Sequence, residues 1–264
     1  MTTVEQLPYD AHTHTVFSDG VNTVEENVRA AEAAGLRCVA VTDHLTPSSN
    51  HERLEVWAAE ASRLDGESSI MVVPGVEGTI LDTEGTVSVD AREAALVKLV
   101  LVDLSRQTRG VGYDPPANSR RYEQQVLAAV TNAALNPVVD AIAHPFNLGR
   151  FDAVLTPDQL SREGLRAVAR VMAESNVAFE IMNQAYWWYP QMTVAEFTRE
   201  YARLLRLFAR EGVKFMVGSD AHSAGAVGCL HYCRTLMREA GIELSQLVNL
   251  ERMAAARSTH TISP

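Results

Sequence analysis

The chain of 264 residues carries 33 acidic against 23 basic side chains, a formal net charge of −10, and 47% of its residues are hydrophobic. This composition argues against a disordered chain and makes nucleic acid an unfavourable partner, because an acidic surface repels a phosphate backbone. Three cysteines are too few for a disulfide framework, and no apolar run reaches the length of a membrane span. Residues 1–9 show no basic region followed by an apolar run, so we expect a cytoplasmic protein that does not bind membranes.

Helical and strand-like patterns alternate along the chain. After a short extended run over residues 7–11, the apolar periodicity predicts helices over 23–34, 51–64, 90–95, 121–135, 157–173, 194–210, 230–240 and 244–255. Apolar runs between them predict strands over 36–42, 69–76, 96–104, 138–143, 177–182 and 213–218, and residues 105–119 read as a loop. Such alternation predicts a parallel sheet, and about seven units favour a closed or nearly closed barrel, formed by residues 1–264 as one domain.

Residues that bind metal ions follow several of the predicted strands. His12 and His14 alternate with Thr13 and therefore point the same way at a strand end, with Asp19 in the turn just beyond. In a barrel, the carboxyl ends of the strands meet at one mouth. The alternative is a set of hydrogen-bonded polar residues at that mouth, which would be costly to desolvate. Imidazole and carboxylate are the ligands of Zn, Mn and Fe, and the sequence places them at His12, His14, Asp19, His44, Glu77, His144, Asp220 and His222.

Taken in chain order, six short motifs resemble those of the PHP (polymerase and histidinol phosphatase) superfamily. The resemblance spans nearly the whole chain and implies a distorted (βα)7 TIM-like barrel with its metal site at the C-terminal ends of the strands. It implies two or three divalent ions (Zn, Mn or Fe) held by the eight residues above, and Asp19 and His222 are also expected to act in catalysis. The motifs are His12-x-His14, Ser18-Asp19-Gly20, Thr42-Asp43-His44, Gly75-Val76-Glu77, Ala143-His144-Pro145 and Ser219-Asp220-Ala221-His222.

The chain departs from the family pattern at one position. The strand before the long loop runs into Ser105, where the resemblance calls for a histidine, although another register would put the gap near Ser88. A hydroxyl is a poor ligand for a divalent cation compared with imidazole. The third metal site, built on Glu77 and His144, therefore lacks one of its expected ligands. A centre of two metal ions or an altered specificity is expected instead.

Arginines and aromatic residues lie in the loops at the same mouth. Arg106 follows the strand that ends at residue 104, and Arg150 follows the motif at residues 143–145. Because guanidinium groups suit bidentate contact with phosphate, we predict Arg106 and Arg150 as the catalytic cations. The segment Tyr186–Tyr189 is either a wall of the substrate pocket or a packing or subunit contact.

These observations predict a metal-dependent phosphoesterase that hydrolyses a small phosphorylated metabolite with metal-activated water. The resemblance implies an activity like that of a histidinol phosphatase or a nucleotide phosphatase. Two alternatives stay open: a non-catalytic module that binds metal or a partner, and a hydrolase of the same fold acting on a non-phosphate substrate. Nuclease or polymerase-associated proofreading fits the family but neither the charge nor the lone domain, and the sequence does not give the oligomeric state.

Overall fold

The computed structural model describes residues 7–257, in which parallel strands alternate with helices. The strands are β1 (Tyr9–Asp10), β2 (Cys38–Val41), β3 (His44–Leu45), β4 (Met71–Ile80), β5 (Leu99–Leu104), β6 (Ala141–Ile142), β7 (Ala178–Met182) and β8 (Phe215–Gly218). The α-helices are α1 (Val24–Ala33), α2 (Arg53–Asp65), α3 (Ala91–Ala94), α4 (Ser119–Ala134), α5 (Arg162–Glu174), α6 (Val194–Arg210), α7 (His231–Ala240) and α8 (Leu250–Arg257). Short 3-10 helices cover Leu148–Arg150, Pro157–Gln159, Ala185–Trp188, Ala224–Ala226 and Leu244–Gln246.

The strands form a nearly closed parallel barrel. Their order is β1-β2-β4-β5-β6-β7-β8, and the short β3 pairs with the outer half of β4. The two ends of the sheet meet where the Ala11 N–H donates to the Val217 carbonyl at 3.0 Å and where Thr13 and Ala221 form a parallel bridge. The distorted TIM-like barrel predicted from the sequence is therefore confirmed, and the single domain over residues 1–264 stays a prediction.

Burial of apolar strands and of one face of each long helix holds the barrel together. All six residues of β5 are buried, as expected for a strand covered on both faces. On the outside, Thr193 begins α6 with a capping box that also uses Glu196, and the apolar face of α6 packs on the barrel. There Phe208 meets Phe179 of β7 edge-on, with ring centroids 5.0 Å apart.

Three predicted elements differ from the observed ones. The strand predicted over 69–76 continues to Ile80, so Glu77 lies within β4 rather than after it. The helix predicted over 157–173 is split because the side chain of Ser161 accepts the Gly164 N–H and starts α5 after a 3-10 turn. The helix predicted over 244–255 is likewise a 3-10 turn followed by α8. No helix within residues 7–257 is long and apolar enough to cross a bilayer.

Candidate metal centre

The barrel brings the eight predicted ligands together at the carboxyl end of its strands. His14 and Asp220 are 206 positions apart in the chain, yet His14 Nε2 lies 3.1 Å from Asp220 Oδ1. At the outer edge, Asp19 Oδ2 lies 3.3 Å from His222 Nε2 and 3.6 Å from His44 Nε2. Groups whose ligand atoms all lie within 4.8 Å of one another include His12, His14 and Glu77 in the interior and His14, Asp19, His44 and His222 towards solvent.

Glu77 lies at the centre of the cluster. Its carboxylate is 1% exposed, and imidazole nitrogens of His12, His14, His44 and His144 lie 2.8–3.5 Å from its oxygens. Both oxygens are buried, and within residues 7–257 neither has a hydrogen-bond partner of regular geometry. A buried carboxylate in this state is costly unless a cation compensates it. The arrangement fits a carboxylate that bridges metal ions.

The spacing of the donor atoms fits metal binding as well. The Nε2 atoms of His12 and His14 are 3.0 Å apart, and His14 Nδ1 is buried without a partner. Two ligand atoms that are each about 2.1 Å from one shared ion are roughly 3.0–3.4 Å apart. Imidazole nitrogens mixed with carboxylate oxygens are a donor set for Zn, Mn or Fe. The residues present therefore fit the divalent ions predicted from the sequence.

The charges of the cluster shift the pKa values of its members. Burial opposes the charged form of His44, but the Glu77 and Asp19 carboxylates outweigh burial and raise the pKa of His44 to about 11. The hydrogen bond with Asp19 raises the pKa of His222 to about 8. The pKa of Asp220 is lowered: burial raises it, and the imidazoles of His12 and His14 more than offset this. Such mutual stabilisation of unlike charges is the electrostatic setting into which a cation can substitute for protons.

Two ligands are held in a backbone conformation that side chains rarely adopt. His144 has φ +29° and Asp220 has φ +54°, and Phe146 beside the first has φ +62°. Left-handed backbone at non-glycine residues costs roughly 1–3 kcal/mol each and is concentrated at functional sites. Three of the five non-glycine residues with positive φ within residues 7–257 are therefore predicted ligands or lie near one, and the other two, Asp114 and Asn176, lie elsewhere.

Glu180 is a component of the site that the sequence interpretation missed. It lies in β7, is fully buried, and accepts the His12 Nδ1–H at 2.8 Å and the His144 backbone N–H at 2.7 Å. This contact fixes the tautomer of His12 and leaves its Nε2 lone pair facing Glu77. The signal was an acidic residue inside the otherwise apolar run 177–182.

Asp43, which follows a predicted strand, does not point at the cluster. Its carboxylate accepts hydrogen bonds from the backbone and hydroxyl of Thr15, at 2.8 and 2.7 Å, and from the Ser18 hydroxyl at 2.6 Å. Asp43 therefore caps the turn that follows His14. Asp43 holds the turn that presents Asp19.

The region expected for a third ion contains an ion pair. Asp103, Glu77 and His144 bring ligand atoms within 4.8 Å of one another, but Arg150 Nη2 lies 2.6 Å from Asp103 Oδ2. Arg150 also donates to the Leu104 carbonyl. Ser105 accepts the Gln107 N–H at 3.0 Å and thus caps the turn that follows β5.

The remaining predicted residues lie around this ion pair. Arg106 is exposed and donates to the Arg150 carbonyl at 3.3 Å. In the aromatic segment, Tyr189 is buried and its hydroxyl bonds to the backbone of residues 146, 148 and 155, whereas Trp187 is 67% exposed and Trp188 37% exposed. The Arg150 guanidinium lies over the Trp188 ring, 5.6 Å from its centroid. The segment thus combines buried packing with an exposed aromatic face, and the catalytic roles predicted for Arg106, Arg150, Asp19 and His222 stay predictions.

Known proteins resemble this chain over most of its length. A protein named "probable phosphatase" from Thermoanaerobacter sp. (strain X514) is 29% identical over 252 residues, which are 93% of this chain and 91% of that protein. Another of that name from Vibrio vulnificus (strain YJ016) is 26% identical over 244 residues, 92% of this chain and 89% of that protein.

Among solved structures, histidinol phosphate phosphatase from Lactococcus lactis subsp. lactis Il1403, complexed with zinc, L-histidinol and phosphate, superposes with a TM-score of 0.64 at 20% identity. The superposition covers 89% of this chain and 94% of that one, and it supports the shared fold. Residues 10–184 match the PHP domain family, which confirms the family predicted from the motifs. The chain belongs to the PHP domain family.

Proposed function

We propose that this protein hydrolyses the phosphate ester of a small metabolite at the centre built around Glu77. The hydrolase class predicted from the sequence is confirmed, because the curated relatives are named phosphatases. The observation that carries the proposal is the buried Glu77 carboxylate, which has no hydrogen-bond partner among several imidazoles at the open end of a barrel.

We assign the metal-holding roles to the eight predicted ligands. Divalent ions in such a site lower the pKa of water and neutralise the negative charge of a phosphoryl group. His12, His14, Glu77 and Asp220 hold the interior of the centre, with Glu180 orienting His12. His144 contacts Glu77 Oε1, whereas the other imidazoles contact Oε2.

Asp19 and His222 face the substrate side of the centre. Asp19 is 55% and His222 42% exposed, in contrast to the buried interior ligands. His222 Nδ1 donates to the Asp220 carbonyl at 2.9 Å, so its Nε2 lone pair faces Asp19 Oδ2 at 3.3 Å, and the two side chains would hold an ion at the edge of the centre that the substrate reaches. We therefore keep both as the proposed catalytic residues.

Arg150 is proposed to replace the third cation of the family pattern. Its guanidinium is paired with Asp103 and lies beside the Glu77 and His144 side, where the missing histidine would have completed a third site. Its Nη2 donates to Asp103 and to the Leu104 carbonyl and its Nε is buried, so Arg150 acts through the positive charge that it places beside the centre. On this assignment the centre takes two divalent ions, and Arg106 only supports the backbone of Arg150.

Zinc and a phosphate monoester are the first cofactor and substrate class to test. The Lactococcus enzyme was solved with zinc, L-histidinol and phosphate, and we extend the metal and the phosphate to this chain. The test is release of inorganic phosphate from a panel of mono- and diesters by protein loaded with zinc or manganese. We expect turnover of monoesters and loss of at least 100-fold in the Asp220→Asn variant.

Metal content measured on the same samples gives an independent outcome. We expect two ions per wild-type chain, and the same number in the control variant Arg63→Met, whose substitution lies at the far end of α2. Absence of turnover on every ester, together with wild-type behaviour of Asp220→Asn, contradicts the proposed function. Three ions per chain contradicts the role assigned to Arg150.

A further inference from the structure

A second cavity opens directly beside the metal centre. It has a volume of about 320 Å³, and two of its lining residues, Asp19 and His44, are proposed metal ligands. The remainder of its wall comes from the turn after β1, from the loop that joins β3 to α2 and from the first turns of α2. These other lining residues are Phe17, Ser18, Thr46, Ser49, Asn50, Arg53 and Trp57.

Arg53 is the cation of this cavity. Its guanidinium lies over the Phe17 ring, 5.3 Å from the centroid, and Nη2 donates to the Val16 carbonyl at 3.3 Å. Within residues 7–257 no carboxylate lies within 4.0 Å of it. By comparison, Arg63 at the other end of the same helix is paired with both Glu60 and Glu67. Arg53 is therefore oriented by neutral contacts and lacks a counter-ion.

The loop that precedes Arg53, the first residue of α2, is held in place. Thr46 N–H donates to Ser49 Oγ at 2.9 Å, and His51 bridges the Thr46 carbonyl and the Glu93 carboxylate. The fixed loop presents the hydroxyl groups of Thr46 and Ser49 and the amide of Asn50 to the cavity, beside the Arg53 guanidinium. A fixed cation with neighbouring neutral donors is a binding site for an anionic group of a ligand.

We infer that the substrate carries a second anionic group, a carboxylate or a second phosphate, which binds Arg53 while the scissile phosphate lies at the metal centre. This inference rests on the proposed function and narrows its substrate class. The cavity is at the low end of ligand-pocket volumes, so it takes the short arm of a small metabolite. An ammonium group on that arm, such as an amino alcohol carries, is repelled.

Non-hydrolysable phosphonates test this inference by equilibrium binding. Zinc-loaded wild-type protein is titrated calorimetrically with alkylphosphonates of about two to four carbons that end in methyl, carboxylate, phosphonate or ammonium. We expect the carboxylate or the second phosphonate to bind about tenfold more tightly than methyl, and the ammonium to bind more weakly than methyl. Whichever of the two anions binds more tightly identifies the second group.

Variants at two positions of one helix separate Arg53 from general charge effects. Arg53→Met is expected to lose the preference for a second anion, and Arg53→Lys to retain part of it. The control Arg63→Met makes the same change in net charge and keeps the full preference. Thermal unfolding of each variant establishes that it is folded before binding is compared.

The outcomes for this inference and for the proposed function are distinct. If wild type hydrolyses p-nitrophenyl phosphate but binds all four phosphonates equally, or if Arg53→Met keeps the wild-type preference, the second-anion site is wrong and the phosphoesterase stands. If wild type hydrolyses no ester and binds no phosphonate, the proposed function fails and the inference fails with it.

Discussion

The variant Glu180→Gln tests whether Glu180 contributes to zinc affinity in addition to the stability of the barrel. The wild-type carboxylate accepts from two buried donors, His12 Nδ1 at 2.8 Å and the His144 N–H at 2.7 Å. A glutamine has one acceptor oxygen, so its NH2 group must face one of these donors. One buried polar group is then left unsatisfied, which costs about 1–3 kcal/mol of the free energy of unfolding.

The same substitution weakens the orientation of His12 as a ligand. Without the carboxylate, the proton is no longer held on Nδ1, and the Nε2 lone pair is less often available to a cation. Partners of this kind are worth about 10–100-fold in metal affinity, or roughly 1.4–2.7 kcal/mol. We therefore expect zinc affinity to fall by that factor, and the melting temperature of the metal-free protein to fall by about 2–4 °C per kcal/mol lost.

Competition with a chromophoric chelator measures the zinc affinity, and calorimetry measures the melting temperature. The matched control is Asp140→Asn, a partly buried carboxylate just before β6 that accepts the Val100 N–H at 2.7 Å and pairs with Arg257 at 3.1 Å. It is expected to lose stability and keep its zinc affinity. The reasoning is refuted if Glu180→Gln binds zinc as wild type does, or if both variants lose affinity equally.

Three further predictions concern the metal, a glycine and a helix cap. Removing the ions with a chelator lowers the melting temperature, and free zinc at 100 times its dissociation constant restores about 2.7 kcal/mol of unfolding free energy; a metal-independent melting curve contradicts this. Gly218→Ala places a Cβ 2.1 Å from Glu180 Oε1 and 2.6 Å from His12 Cβ, so zinc affinity and stability both fall, whereas Gly225→Ala, with open space around it, changes neither in the same titrations. Thr193→Ala removes the cap of α6 and costs about 1 kcal/mol in thermal unfolding, with zinc affinity unchanged; a loss of affinity contradicts the separation of cap and site.

The ligand positions could be predicted because the topology of a parallel barrel determines where the strand ends lie. In a parallel barrel the carboxyl ends of all strands lie at one mouth, so a histidine or carboxylate that follows an apolar run lies at that mouth. His12, His44 and Asp220 follow this rule and meet as expected.

The local sequence pattern around Glu77 does not predict the end of β4 correctly. The apolar run ends at Val76, and Glu77 and Gly78 are not typical of a strand interior, so the sequence predicts an end there. In the structure β4 continues because it pairs with β5 on one side and β3 on the other. Pairing on two edges outweighs local propensity, and the result is that Glu77 is buried within the sheet, where its carboxylate can reach the imidazoles on both sides.

The Arg150–Asp103 pair and the absence of a histidine at Ser105 bear on the same question, the charge around a third ion. Asp103 is nearly buried beside Glu77 and His144, and two carboxylates so placed require positive charge nearby. A third metal ion supplies that charge only if a ligand such as imidazole completes its coordination, and Ser105 does not. A guanidinium supplies it covalently, stays charged at every physiological pH and is not removed by a chelator. On the role proposed for Arg150, the ion pair therefore supplies the charge that a third ion would supply, and we expect two ions per chain.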